Sequence, residues 1–191
     1  MRITINLFFI QEFGLPEDDY YGRLSLDGFL HLKSILSNIN NILTLKVSLA
    51  FVDWAVINLR LGQEAKEKMR SNLLVTKPNA NGYDIELSEP VKLIAEVKCN
   101  IPINKGNVYG SAQQDGIAKD IDSLINGKTK SLINPNNYLK FMVFLDLPEI
   151  RDATKNFIEN MSKYKDIIAY TENESEIKDT KKVYIVFVKW A

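Results

Sequence analysis

Hydrophobic and polar positions along the chain follow both strand-like and helix-like periods, which predicts a single α/β domain over residues 1–191. The apolar opening Ile3–Ile10 predicts a strand. Two helices follow, from Leu26 (capped by Ser25) to about Ile39 and from Thr44 to Arg60, with a break at 38–41. The remaining predicted elements are a charged helix from Gln63 to about Asn72, strands Leu73–Thr76, Tyr83–Leu87 and Leu93–Cys99, a helix from Ser111 to about Ile125, a strand Phe141–Leu145, a helix from Pro148 and a strand Val183–Trp190.

This order favours a central mixed β-sheet flanked by helices. The most apolar stretch, residues 42–59, contains Lys46 and Asp53, which favours a buried helix over a membrane span. The first ten residues are followed by no small-residue cleavage site, so we expect no secretory signal and a cytoplasmic location.

Composition narrows the possible chemistry more than it narrows the fold. The chain has one cysteine and one histidine, which excludes internal disulfides, cysteine-based zinc sites and nucleases that depend on several histidines. An enzyme of this composition would rely mainly on Asp, Glu and Lys. The formal net charge is zero, but the segment from Lys98 to Lys140 is the most basic part of the chain.

Three charged residues stand out at the predicted hairpin of Tyr83–Leu87 and Leu93–Cys99. Glu96 and Lys98 lie two residues apart, so they share one face of their strand, and the short loop at 88–90 would bring Asp84 beside Glu96. Two carboxylates and one ammonium group together can hold a hard divalent cation and act on a phosphodiester. The alternative is a surface salt bridge across a hairpin, which contributes about 0–1 kcal/mol and needs no function.

The pattern around these residues resembles the PD-(D/E)XK nuclease superfamily, which has the restriction-endonuclease-like fold. That family places an acid on the second strand of its core and (D/E)-x-K on the third; here these are Asp84 and Glu96-Val97-Lys98. The resemblance covers a core at 61–147, with an N-terminal extension at 1–60 and a C-terminal helix and strand at 148–191. Tyr83 departs from the family pattern, which has proline at that position.

The resemblance implies that Asp84 and Glu96 ligate Mg²⁺, with Mn²⁺ able to substitute, and that Lys98 orients or helps to activate the attacking water. It also implies an acid on the helix before the strands. Glu64 is the candidate and Glu67 its substitute, although both fit an exposed helix stabilised by i,i+4 pairs. Glu86 shares the face of Asp84 and is a supporting acid, an alternative metal ligand or a polar residue at the strand end.

The implied substrate is double-stranded DNA, cut by an endonuclease. We expect this enzyme to work as a homodimer and to have no membrane partner. The family often carries Gln or Lys at the start of the following helix near the substrate backbone, which makes Gln113, Gln114 and Lys119 the substrate-binding candidates. The alternatives are a non-catalytic nucleic-acid-binding or assembly module that keeps the fold, and an interaction protein in which Asp84 and Glu96 lie far apart.

Overall fold

The computed structural model describes residues 2–75, 82–129, 131–174 and 176–190. Its helices are α1 (Arg2–Phe13), α2 (Tyr20–Arg23), α3 (Leu26–Asn58), α4 (Gln63–Val75), α5 (Ser111–Asn126) and α6 (Pro148–Asn160). Its strands are β1 (Ile85–Leu87), β2 (Leu93–Lys98), β3 (Leu139–Leu145), β4 (Ile168–Tyr170) and β5 (Val183–Val188). The chain divides into two compact units, Met1–Asn41 and Ile42–Ala191, with the boundary inside α3.

The second unit is built on one five-stranded sheet with the order β1-β2-β3-β5-β4. Strand β1 runs antiparallel to β2, and the other neighbours are parallel. Helices cover the sheet, so the predicted class, an α/β fold with a mixed sheet flanked by helices, is confirmed. The predicted hairpin between the first two of these strands is confirmed as well.

Two hydrophobic clusters lie on the two faces of this sheet. One joins the second half of α3 and Met69 of α4 to alternate positions of β2, including Ala95 and Val97. The other joins α5 and α6 to the positions between them, such as Ile94. Strand β5 is buried at every residue because both of its faces are covered, as is typical of parallel strands inside an α/β sheet.

The predictions for the N-terminal region were wrong in two places. The segment predicted as a strand is helix α1, in which the rings of Phe9 and Phe13 lie 6.1 Å apart, a contact that the helical i,i+4 spacing provides. The break predicted at 38–41 is absent, and α3 continues through it. Asparagine is a weak helix former but not a helix breaker, and neither Gly nor Pro occurs between Phe29 and Asn58.

Two boundaries next to the hairpin also differ from prediction. Residues predicted as the strand Leu73–Thr76 belong to α4 as far as Val75, and Thr76 lies outside the described residues. Strand β1 begins at Ile85, so Asp84 sits in a bend just before it. Helix α5 ends at Asn126 followed by Gly127 with φ +92°, which confirms the predicted stop. The short edge strand β4 was not predicted.

The first unit is held together by its own polar and aromatic contacts. Asn6 Oδ1 accepts a hydrogen bond from the Tyr21 backbone N–H at 2.8 Å, and the Phe9 and Tyr20 rings lie 5.6 Å apart. Large apolar side chains remain exposed on its helices, among them Ile3, Phe8, Leu26, Leu30, Ile35 and Leu36. These exposed side chains form what we call the N-terminal apolar surface.

One helix in the described part of the chain, α3, is long and apolar enough to cross a membrane by length and composition. Of its most apolar 18-residue stretch, 22% is buried against the rest of the protein. The buried residues are in its second half and include Val47, Phe51 and Ala55, which pack on the sheet. A core helix that packs in this way passes the same test of length and composition.

Candidate active site

The register of the β1–β2 hairpin brings Asp84 next to Glu96. Ile85 pairs with Ala95, so the next position along the antiparallel pair sets Asp84 opposite Glu96. Asp84 Oδ2 accepts a hydrogen bond of 2.8 Å from the backbone N–H of Val97. This bond holds one oxygen of the carboxylate against β2, while the bend before β1 leaves the residue half-buried.

Glu96 is 3% exposed and carries the most perturbed carboxyl of the site. Burial, and after it the negative charge of Asp84, raise the pKa of Glu96 to about 8. Lys128 opposes this shift, with its Nζ 2.5 Å from Glu96 Oε1. The contact is an ion pair in which Oε1 still lacks an aligned hydrogen-bond donor within the described structure. Glu96 is therefore a buried carboxyl group that keeps its proton to a higher pH than an ordinary glutamate, even with Lys128 beside it.

Lys98 shares the face of Glu96 and reaches a different partner. Its Nζ lies 2.6 Å from Asp120 Oδ2 on α5, and both side chains are about one-fifth exposed. Because Val97 packs into the cluster under α3 and α4, the residues on either side of it point toward α5. Lys98 is thus oriented by an acid from the helix that follows the hairpin.

Two side chains before and within β1 hold the bend that carries Asp84. Glu86 Oε1 accepts a hydrogen bond from the Tyr83 backbone N–H at 2.9 Å, and the Tyr83 hydroxyl donates to the Ser123 carbonyl at 3.0 Å. A proline at position 83 has no N–H and would lose the first of these bonds. Tyr83 therefore has a local structural role that proline could not fill, and Glu86 holds the bend.

A cavity of about 260 Å³ opens beside Asp84, between the hairpin and the second half of α4. Met69, Asn72 and Leu73 supply the helical side of its lining. Glu64 does not line it: this residue is exposed at the start of α4, eight positions before Asn72, which is about 12 Å along the helix axis. Glu67, its predicted substitute, is exposed and accepts a bond of 3.3 Å from Gln63.

The amides of Gln113 and Gln114 are engaged in the loop before α5. Gln113 accepts from the Gly110 N–H at 2.9 Å and donates to the Ile101 carbonyl at 2.8 Å, while Gln114 donates to the Tyr109 carbonyl at 2.7 Å. Lys119 is exposed and directly precedes Asp120 in α5. Of the three predicted substrate-binding residues, Lys119 lies closest in sequence to the charged cluster, and the two glutamines order the loop.

The donor set fits a magnesium ion that is shared with a substrate. Among the described residues, no group of three or more His, Cys, Asp or Glu side chains is arranged to hold a metal ion. Mg²⁺ in phosphoryl-transfer sites is commonly held by one or two carboxylates, with water and phosphate oxygens completing the shell. Asp84 and Glu96 provide that minimal pair, and the buried Oε1 of Glu96 already lies against a positive charge, the Lys128 ammonium group at 2.5 Å.

Sequence reasoning missed Asp120 and Lys128, the two residues that complete the cluster. Asp120 looked like one of several polar positions on an amphipathic helix, and Lys128 like a surface residue after the Asn126-Gly127 stop. The one available signal was the basic character of the segment from Lys98 to Lys140. The pairing partners depend on how α5 packs on the sheet, which no local pattern encodes.

Comparison of the chain with protein-family models, curated proteins and solved structures gives no significant match. The fold and the charged cluster therefore carry the functional interpretation on their own.

Proposed function

We propose that this protein is a magnesium-dependent endonuclease of the restriction-endonuclease-like fold that hydrolyses phosphodiester bonds in double-stranded DNA. The observation that carries the proposal is the β1–β2 register, which sets Asp84 opposite Glu96 with Lys98 on the same face. The order α4, β1, β2, α5, β3 supports it, since the family core is a helix, three strands, a helix and a strand. The described residues contain two of the three strands expected before the second helix.

The position of the cluster also supports a substrate site. Lys98 ends β2, so the charged groups lie at the carboxyl end of a strand that is parallel to its inner neighbour. In open α/β sheets, ligands bind outside the carboxyl ends of the strands. A divalent cation bound there supplies Lewis-acid polarisation of the phosphate and a water of lowered pKa.

Each residue of the cluster has a role that follows from its contacts. Asp84 and Glu96 would hold the cation, and the bond from Val97 to Asp84 Oδ2 fixes the first carboxylate before any ligand binds. Lys98, oriented by Asp120, stabilises negative charge that develops on phosphate oxygens. Lys119, which is exposed beside Asp120, would contact the substrate backbone, and Gln113 and Gln114 would do so only by giving up part of their loop contacts. Glu64, at the exposed start of α4, is given no role in the cluster.

The direct test is cleavage of supercoiled plasmid with Mg²⁺ or Mn²⁺, comparing wild type with Lys98→Ala. The matched control is Lys181→Ala, an exposed lysine before β5 at the opposite end of the parallel strands. We expect nicked and linear products from wild type and Lys181→Ala, and a loss of at least about 100-fold for Lys98→Ala, which corresponds to about 3 kcal/mol of lost transition-state stabilisation. Absence of metal-dependent cleavage by folded wild type would overturn the proposal.

A non-catalytic module that keeps this fold is the second candidate, favoured by one observation. Both lysines of the cluster are paired internally, Lys98 with Asp120 and Lys128 with Glu96, as in a structural charge network. Such a module would bind nucleic acid or a protein partner without nicking, and Asp84→Ala would leave its binding unchanged.

We also propose that the enzyme is a cytoplasmic homodimer, because a single site faces one strand of a duplex. The N-terminal apolar surface supports association: Phe8, Leu30 and Leu36 are each more than half exposed. Contiguous exposed apolar surface commonly marks a site of association.

A further inference from the structure

The ammonium group of Lys128 occupies a preformed cation site beside Asp84 and Glu96. The ammonium group lies 2.5 Å from Glu96 Oε1, donates to the Gly82 carbonyl at 2.7 Å and sits 5.0 Å from the centroid of the Tyr83 ring. A carboxylate oxygen, a carbonyl oxygen and an aromatic face are three groups that each attract positive charge. All three come from the hairpin or the residues just before it, next to Asp84.

The site beside Glu96 accommodates one cation more easily than two. With all six groups ionised, the four acids Asp84, Glu86, Glu96 and Asp120 exceed Lys98 and Lys128 by two negative charges. A divalent ion bound by Glu96 beside an undisplaced Lys128 would place two cations against one buried carboxyl group, whose Oε1 already lies 2.5 Å from the ammonium group. Like charges in a poorly solvated site repel strongly, so occupancy by the ion and by the ammonium group should oppose each other.

The position of Lys128 also allows its side chain to move out of this cation site. It follows Gly127, whose φ of +92° ends α5, so the residue stands in a loop and not within a helix. Its side chain is 25% exposed, and its four-carbon stem can carry the ammonium group into solvent. In contrast, Lys98 belongs to β2, and its ammonium group pairs with Asp120 and not with Glu96.

We propose that Lys128 is a resident cation that occupies Glu96 Oε1 in the metal-free protein and is displaced when a divalent metal ion binds between Asp84 and Glu96. This inference rests on the proposed function, because it assigns the metal to the same carboxylate pair. It adds that metal affinity is set by competition with a lysine of the chain itself. Removing the ammonium group should therefore tighten metal binding, whereas removing an ordinary positioning residue would weaken it or leave it unchanged.

The first experiment measures Mn²⁺ binding by isothermal titration calorimetry for wild type, Lys128→Met, Lys128→Arg and the control Lys181→Met. We expect Lys128→Met to bind Mn²⁺ at least about fivefold more tightly, the effect of removing one competing ion pair of about 1 kcal/mol. Lys128→Arg and Lys181→Met should bind within about twofold of wild type. Unchanged or weaker binding by folded Lys128→Met would overturn the proposal.

A second experiment uses the wild-type chain and so does not depend on how a variant folds. The reactivity of Lys128 toward an amine acylating reagent is followed by mass spectrometry with and without Mn²⁺, with Lys181 as the internal reference. We expect Mn²⁺ to increase labelling of Lys128 relative to Lys181, and Glu96→Gln to abolish this dependence. Equal labelling at a saturating concentration of Mn²⁺ would show that the lysine is not displaced.

The two proposals fail in different ways. If Mn²⁺ binds, displaces Lys128 and yet supports no plasmid cleavage, the competition stands and the nuclease function falls. If cleavage requires metal but Lys128→Met binds Mn²⁺ no more tightly than wild type, the nuclease function stands and the competition falls.

Discussion

The backbone N–H of Val97 donates a 2.8 Å hydrogen bond to Asp84 Oδ2, and this bond ties the first carboxylate of the candidate site to the strand that carries the second. Asp84 lies just outside β1, so the bond replaces a ladder contact that the short strand does not make. The two acids are thereby held together by the hairpin itself. The consequences of this arrangement can be tested one residue at a time.

Substitution of Asp84 separates its charge from its hydrogen bond. Asp84→Asn keeps an oxygen that can accept from Val97 but removes the negative charge needed for the metal. We expect a near-normal fold with plasmid cleavage reduced at least about 100-fold, since loss of a metal ligand removes several kcal/mol of transition-state stabilisation. The exposed residue Asp166, which precedes β4 at the other end of the parallel strands, provides the control Asp166→Asn. Cleavage by Asp84→Asn at the rate of this control would remove Asp84 from the site.

The raised pKa of Glu96 predicts a distinctive dependence of stability on pH. Because the pKa is about 8 in the folded protein and near 4.5 in the unfolded chain, the folded state binds the proton more tightly. The free energy of unfolding should therefore fall as pH rises from about 5 to about 8, and level off above that range. Burial is the main cause of the shift, and the charged groups that act on this carboxyl are Asp84, Lys128 and Asp120.

The matched control for this pH dependence is Glu96→Gln, which cannot titrate. Urea unfolding of the two proteins at several pH values should show the stability of wild type falling relative to the variant across that window. Parallel curves would show that Glu96 ionises at an ordinary pH. Mg²⁺ requires the carboxylate form, so its stabilising effect on wild type should grow as pH rises through the same range.

We predict that Asp120, which lies outside the proposed metal ligands, affects the rate of cleavage by orienting Lys98. Asp120→Asn should slow cleavage about tenfold and lower stability by about 1 kcal/mol, because the pair is only partly buried. We expect the maximal cleavage rate to fall while the DNA concentration at half-maximal rate changes little. Measuring both constants, with Asp166→Asn again as the control, distinguishes orientation from binding: a change confined to the half-maximal concentration would contradict this role.

The packing of α3 on the sheet can be tested at Phe51, which is fully buried with its ring 5.2 Å from that of Phe141. Phe51→Ala should lower the free energy of unfolding by about 3–5 kcal/mol, the usual effect of deleting a buried aromatic ring. Ile57→Ala, at an exposed position of the same helix, should change it by less than about 1 kcal/mol. Similar effects at both positions in urea unfolding would contradict the burial of this face.

The proposed homodimer is tested by sedimentation velocity over a range of micromolar concentrations. We expect wild type to sediment as a dimer and the double variant Phe8→Asp, Leu30→Asp to sediment as a monomer, since charges are costly in an apolar interface. Leu132→Asp changes an exposed leucine outside the N-terminal apolar surface and should remain dimeric. A monomeric wild type that cleaves plasmid would overturn the dimer, and its flotation with lipid vesicles would assign this surface to a membrane instead.

The local sequence pattern predicted an element correctly where the segment has its own helix-start and helix-stop residues and a clear hydrophobic period. Helix α5 ends at a glycine with positive φ, α6 begins with Pro148, and Ser25 caps α3 through a 3.1 Å bond from the Gly28 N–H. The β1–β2 hairpin was predictable for the same reason, because two short β-rich runs flank a turn. Prediction failed at α1, where an apolar run of eight residues fits a strand and a helix equally well.

The sequence by itself determined that this is an α/β chain in which Asp84, Glu96 and Lys98 meet at one hairpin, because side-chain alternation and a short turn are local properties. Only the tertiary structure decided that Glu96 is buried, that Lys98 pairs with Asp120 and that Lys128 lies against Glu96. Those contacts arise where α5 packs across the sheet, 22 to 32 residues further along the chain. Burial of a side chain, and ion pairs between residues this far apart in the sequence, depend on how the core assembles. The hydrophobic pattern of the sequence cannot predict them.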